Sequence, residues 1–184
     1  MGLNIEGTDG EIIQSGDNRM NVSSREAKRF YYASRDKGQA FALVSGDFIP
    51  ITTINIETGL LHIKNTSTTK NLYIENVRTC GTQIQKWKLY NNSTGGTLIS
   101  GAVAGGSTNL NLTSSNEADA DVYKGADLVT VTGGNMIEHW VNQIGHSVEI
   151  FNGALILGVN DSIQLTVELA VAGDVCARVI GYYE

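Results

Sequence analysis

Ile163-Gln164-Leu165-Thr166-Val167-Glu168-Leu169 alternates apolar and polar residues without a break. Successive side chains of an extended chain point to opposite faces, so Ile163, Leu165, Val167 and Leu169 share one face and Gln164, Thr166 and Glu168 the other. This is a half-buried strand, and its apolar face must meet a second layer. Gln85-Lys86-Trp87-Lys88-Leu89 repeats the pattern with both lysines opposite Trp87, which places the indole in the core. Leu72 and Ile74 alternate with Tyr73 and Glu75, with a bulge expected before Val77. Further strands are expected over 48–56, 58–65, 97–103, 108–113, 127–132, 147–151, 154–157 and 174–183. Residues 135–144 fit a strand through Ile137, His139 and Val141, although Asn135 also suits a helix cap. Turns separate these runs at Asn91–Gly96, Gly105-Gly106-Ser107, Gly133-Gly134-Asn135 and Val159–Ser162. Roughly ten strands in about 145 residues make an all-β, antiparallel β-sandwich, jelly-roll-like, over residues 38–184.

Composition agrees. The chain has 184 residues, enough for one core without staples, and carries 21 glycines but one proline. Only 17% of residues are charged, the missing share going to Thr, Ser, Asn and Gly, the residues of short strands and tight turns. Nothing is apolar over the eighteen residues a membrane span needs, and a net charge of −6 disfavours nucleic acid and anionic membranes as partners. Met1-Gly2-Leu3-Asn4-Ile5-Glu6 has neither the basic nor the apolar region of a secretory leader. Cys80 and Cys176 are therefore expected as two small buried thiols in a reducing compartment, in preference to a cross-strand disulfide.

Residues 1–37 differ from the rest. They hold six basic side chains against six acidic ones, whereas 38–184 hold seven against thirteen. Gly7-Thr8-Asp9-Gly10 and Ser15-Gly16-Asp17-Asn18 are turn-rich, so 1–37 reads as an N-terminal arm, partly irregular. Within it Ser23-Ser24-Arg25-Glu26-Ala27 suits a helix start, and the continuation through Phe30-Tyr31-Tyr32 suits a strand equally well.

The motifs of catalysis are missing from the sequence. There is no Gly-x-Ser-x-Gly and no phosphate-cradling glycine loop. His62, His139 and His146 lack the spacing of a metal cluster, and Glu117-Ala118-Asp119-Ala120-Asp121 lacks the glycine of a calcium loop and reads as a solvated loop. The expectation is a protein that is not an enzyme and needs no cofactor or metal. Tyr90-Asn91-Asn92 and Tyr123 are the residues on which carbohydrate binding would rest.

Residues 41–184 resemble the small jelly-roll structural proteins of tailed-bacteriophage virions that decorate heads or adorn tails. The residues that carry the resemblance are Phe48-Ile49-Pro50-Ile51-Thr52-Thr53, Leu60-Leu61-His62-Ile63-Lys64-Asn65-Thr66-Ser67, Leu72-Tyr73-Ile74-Glu75, Tyr123-Lys124-Gly125-Ala126-Asp127 and Val179-Ile180-Gly181-Tyr182-Tyr183-Glu184. The resemblance implies a capsid decoration or cement protein, made and assembled in host cytoplasm and residing in the virion. Its implied partners are the major capsid protein or another virion protein and itself, as a homotrimer. Arg25, Lys28, Arg29, Phe30, Tyr31, Tyr32, Arg35 and Lys37 combine the residue types of interface hot spots and are the candidate docking residues; covering a sheet edge would use the same types. The alternatives are a phage tail or fibre component and, from another class, a carbohydrate-binding module.

Overall fold

The computed structural model describes residues 5–6, 12–13, 24–91, 106–127, 129, 131 and 133–184. In chain order the elements are β1 (Ile5–Glu6), β2 (Ile12–Ile13), α1 (Ser24–Arg35), β3 (Ala40–Val44), β4 (Ile49–Ile51), β5 (Thr58–Asn65), β6 (Leu72–Gly81) and β7 (Gln85–Asn91). They continue with β8 (Gly106–Asn109), β9 (Ala120–Lys124), β10 (Asn135–Asn142), β11 (Gly145–Leu157), β12 (Ser162–Leu169) and β13 (Gly173–Tyr183). A five-stranded sheet, β10-β7-β12-β5-β9, faces a second sheet ordered β11-β6-β13-β3-β8, to which β4 adds beside β13; β1 and β2 pair with each other. Every pairing is antiparallel, and β5–β12, β6–β11 and β7–β10 nest inside one another while alternating between the sheets. This is the winding of a jelly roll.

The deciding stretch is β12, the middle strand of the five. Its apolar face meets Ile63, Leu61, Leu89 and Trp87 in register on the neighbouring strands. Across the sandwich lie Leu72, Ile74, Val77, Val175, Val179, Phe41 and Tyr183, all buried in the same cluster. Each such side chain contributes about 1.5–3 kcal/mol on full burial. Trp87 is wholly buried and stacks on Trp140 of β10 at 6.4 Å between centroids. Its indole N–H donates to Gln85 Oε1 at 3.3 Å, so the polar edge is satisfied inside the core.

Several expected strands change shape for identifiable reasons. The strand over 48–56 shrinks to β4 because the Asp127 carboxylate accepts from the backbone N–H of Thr52 and Thr53 and turns the chain. The strand at 108–113 ends at Asn109. There Asn109 Oδ1 accepts from the N–H of Asn111, and Asn111 Oδ1 from that of Thr113, two successive side-chain-closed turns. Residues 127, 129 and 131 lie outside any strand, and 97–103 lies outside the described residues. The runs 147–151 and 154–157 form one strand, β11, folded outward between Ile150 and Leu155 by Asn152 and Gly153, whose φ values are +50° and +74°. Part of the acidic 117–121 stretch is not loop but the start of β9, and 135–142 is a strand.

The cysteine expectation is overturned. Cys80 of β6 and Cys176 of β13 are register partners with Cα atoms 5.2 Å apart, and they form a disulfide on the outer side of the six-stranded sheet. The pairing follows from the long-range register of two strands 96 residues apart, which spacing along the chain does not reveal.

Candidate assembly surfaces

Residues 24–35 form a helix, and its packing explains why. Phe30 sits edge-on to Tyr182 at 5.9 Å, Tyr182 stacks on Tyr73 at 5.2 Å, and Ala33 and Ala40 close the small cluster. The helix thus lies on the outer face of the six-stranded sheet. At its C-terminal end the carbonyls of Tyr32, Ala33 and Ser34 accept from the backbone N–H groups of Asp36, Gln39 and Gly38, and asparagines from the far side of the sequence take up the carbonyls that follow. Asn111 Nδ2 donates to the Arg35 carbonyl at 3.0 Å, Asn116 Nδ2 to that of Lys37 at 3.0 Å, and Asn109 Nδ2 to that of Gly38 at 2.8 Å. Gly38 reverses the chain at φ +59°, where Ser114 leaves no room for a Cβ.

The helix divides the expected docking residues. Phe30 faces inward and holds the helix down. Arg29 reaches Glu184 at 3.7 Å with both side chains more than half exposed, a pair that contributes little. Tyr31 and Tyr32 are exposed, and each carries a cation over its ring: Arg35 at 4.8 Å and Lys37 at 5.4 Å. Arg35 also donates to Asp36 at 2.6 Å, a contact that holds the Asp36 carboxyl below its usual range. The side chains of Arg25 and Lys28 lie outside the described residues. Tyr31, Tyr32, Arg35 and Lys37 therefore remain together as one exposed aromatic and basic group.

A second surface was not signalled by the sequence. β10 and β11 are consecutive strands, and each is the outermost strand of its sheet on the same side of the sandwich. Together they form one wall. Its corners expose Met136, Val141, Val148, Ile156 and, most of all, Ile144 (71%) and Ile150 (68%). Between the corners two carboxylates point toward the core side of their strands, Glu138 opposite Leu89 and Glu149 opposite Val77. Among the described residues the outer backbone edge of β11 pairs with nothing. Apolar groups at these positions became legible only once the outward fold at Asn152-Gly153 and the shift between Met136 and Glu138 were placed, because each resets which residues face out.

The residues considered for chemistry are dispersed. His139 and His146 lie on different sheets, and no group of three metal-ligating side chains occurs among the described residues. Asp121 faces Lys64 across β9 and β5. Tyr90 and Tyr123 both lie on the outer face of the five-stranded sheet, on β7 and β9, flanking Gln164 and His62. No helix among the described residues is long and apolar enough to cross a membrane. Comparison with protein-family models, with curated proteins and with solved structures gave no match.

Proposed function

We propose that the protein is a non-enzymatic virion structural subunit, a capsid decoration or cement protein, which works by packing against copies of itself and against the head surface. The single observation that carries the assembly reading is the β10–β11 wall. Exposed aliphatic side chains flanking the thirteen-residue edge strand β11, whose outer edge has no partner among the described residues, present the surface on which another chain is expected to dock. Glu138 and Glu149 oppose indefinite sheet growth, since an added strand would bury their charges, and so favour a closed assembly over a fibre. The group of Tyr31, Tyr32, Arg35 and Lys37 supplies a separate tie to a second surface, with residue types enriched at hot spots. The placement in a tailed-phage virion rests on the sequence resemblance.

Light scattering after gel filtration tests the reading. The native chain is expected at three times its 19.8 kDa, and the Val141→Lys/Ile150→Lys variant at the single-chain mass with an unchanged far-UV spectrum. A native protein that stays at 19.8 kDa at tens of micromolar would overturn the wall as a self-association surface. Retention of the native protein on undecorated phage heads, lost in Tyr31→Ala/Tyr32→Ala, is the expectation for the tie; retention unaffected by that change would remove it.

A further inference from the structure

The outer face of the five-stranded sheet carries a row of side chains that lies apart from the hydrophobic core and shares only Met136 with the wall. Pairing places Met136, Tyr90, Gln164, His62 and Tyr123 side by side on β10, β7, β12, β5 and β9, so the row crosses the whole sheet. Strands lie about 4.8 Å apart, which puts Tyr90 and Tyr123 about 14 Å from one another with two polar groups between them. The helix lies on the other sheet.

The polar groups of this row are held in place. Gln164 Nε2 donates to the Leu165 carbonyl at 2.9 Å, so Gln164 Oε1, 3.2 Å from His62 Nδ1, is an acceptor. The Nδ1 of His62 must then carry the proton, which leaves Nε2 as an acceptor that has no hydrogen-bond partner among the described residues. Burial holds the imidazole below its usual pKa and so keeps it neutral. Tyr123 leans over the same ring with centroids 6.0 Å apart. On one flank Glu57 accepts from Thr166 Oγ1 at 2.7 Å, pairs with Lys88 and engages the Tyr90 hydroxyl. On the other flank Lys64 faces Asp121. Each flank is therefore charge-balanced, and the row between them is neutral, polar and aromatic.

A face without net charge, holding two half-buried tyrosines and an imidazole fixed by the buried Gln164, is matched by a ligand of hydroxyl groups and apolar ring faces. Anions would meet Glu57 and Asp121, and cations Lys88 and Lys64; either pays desolvation without a surplus of opposite charge. Tyrosine gives contact area at low entropic cost together with a hydroxyl. We propose that this face is a binding site for a neutral oligosaccharide, lying across the strands with ring faces over Tyr90 and Tyr123 and hydroxyls on His62 and the Glu57–Lys88 pair. Its span suits a short oligosaccharide better than a single sugar. The inference stands apart from the assembly reading, because it uses the opposite side of the five-stranded sheet from the core and none of the aliphatic wall residues except Met136.

The test is a printed array of neutral, sialylated and sulfated oligosaccharides probed with the full chain. It is followed by calorimetric titration of the best neutral hexasaccharide and its disaccharide. Binding is expected on neutral glycans, at least tenfold tighter for the hexasaccharide than for the disaccharide. Tyr123→Ala and Tyr90→Ala should each weaken it about tenfold, a loss of about 1.4 kcal/mol, whereas Tyr123→Phe, which keeps the ring, should stay within threefold. Val141→Lys/Ile150→Lys should leave the per-site affinity unchanged, which separates this site from the wall. Retention of charged glycans alone, no retention of any neutral glycan, or binding indifferent to both alanine variants would overturn the proposal.

Discussion

Asn65 ends β5 with its side chain fully buried, and its amide joins three parts of the chain. Nδ2 donates to the carbonyls of Lys70, Leu157 and Gly158 at 2.9, 3.0 and 3.1 Å, while Oδ1 accepts from the Ser67 N–H at 3.0 Å. Asn65→Ala strips partners from these groups around a side chain that is fully buried. A buried polar group left without its partner costs about 1–3 kcal/mol. Counting two amide hydrogens and one acceptor, and allowing that the loop partly relaxes, we expect a loss of about 3–4 kcal/mol. That is a large part of the ~5–15 kcal/mol by which such domains are stable. Asn65→Asp should be worse at neutral pH, since a carboxylate would face three carbonyl oxygens. Its folded-state pKa would then be raised, so the unfolded chain ionises first as the pH climbs. The stability of this variant is therefore greatest below about pH 4 and falls as pH rises through and above the unfolded value. Urea titrations followed by tryptophan emission, at pH 4 and 7, measure both effects. A loss under 0.5 kcal/mol for Asn65→Ala, or an Asn65→Asp variant as stable as the alanine one at pH 7, would refute the reasoning.

The disulfide closes a separation of 96 residues, so its reduction, or Cys80→Ala/Cys176→Ala, is expected to lower stability by about 2–5 kcal/mol. Two thiols titrating in the native protein would contradict it. Tyr183 buries a hydroxyl that has no hydrogen-bond partner among the described residues, and burial raises its pKa. Tyr183→Phe should therefore be neutral or stabilising by up to about 1 kcal/mol in the same urea assay, since no bond is lost. Acid should act in two stages. Burial lowers the His62 pKa, so the stability held above about pH 6.5 is lost as pH falls toward the folded value; His62→Gln should remove this limb. Burial also opposes charge on Glu57 and Asp127, but hydrogen bonds from Lys88, Thr166 and Tyr90, and from Thr52 and Thr53, outweigh it and keep both carboxyls below their usual range. Their stabilisation is present above the unfolded values near pH 4 and disappears as pH falls through the folded ones, a second limb that His62→Gln should leave in place.

How much of this the sequence disclosed depends on the range of the interaction. The faces of β12 and β7, and the burial of Trp87, follow from alternation that each strand carries by itself. The helix over 24–35 was undecided, because Phe30-Tyr31-Tyr32 suits either state and only the seat against Tyr182 and Tyr73 selects one. The asparagines at 109, 111 and 116 read as turn formers, and they are; that they also finish a helix some 75 positions earlier depends on tertiary placement. The disulfide and the wall were hidden for a related reason. Both depend on register between strands that local spacing leaves free, and two irregularities reverse the facing of β10 and β11 midway. Tyr90 and Tyr123 are visible as aromatics, but their common row with Gln164 and His62 needs three strand pairings.

The placement of the Cys80–Cys176 bond has a mechanical consequence. A subunit held at its α1 end and drawn from the C-terminal end of β13 transmits tension through β6 and β13, which the bond joins side by side. The chain between the two cysteines, 96 residues along and roughly 330 Å when extended, lies outside that path. Under oxidising conditions β7 to β12 would be spared from stretching, and a pulled subunit would yield only the slack before Cys80 and after Cys176. Reduction would release the remainder as a second, much longer extension.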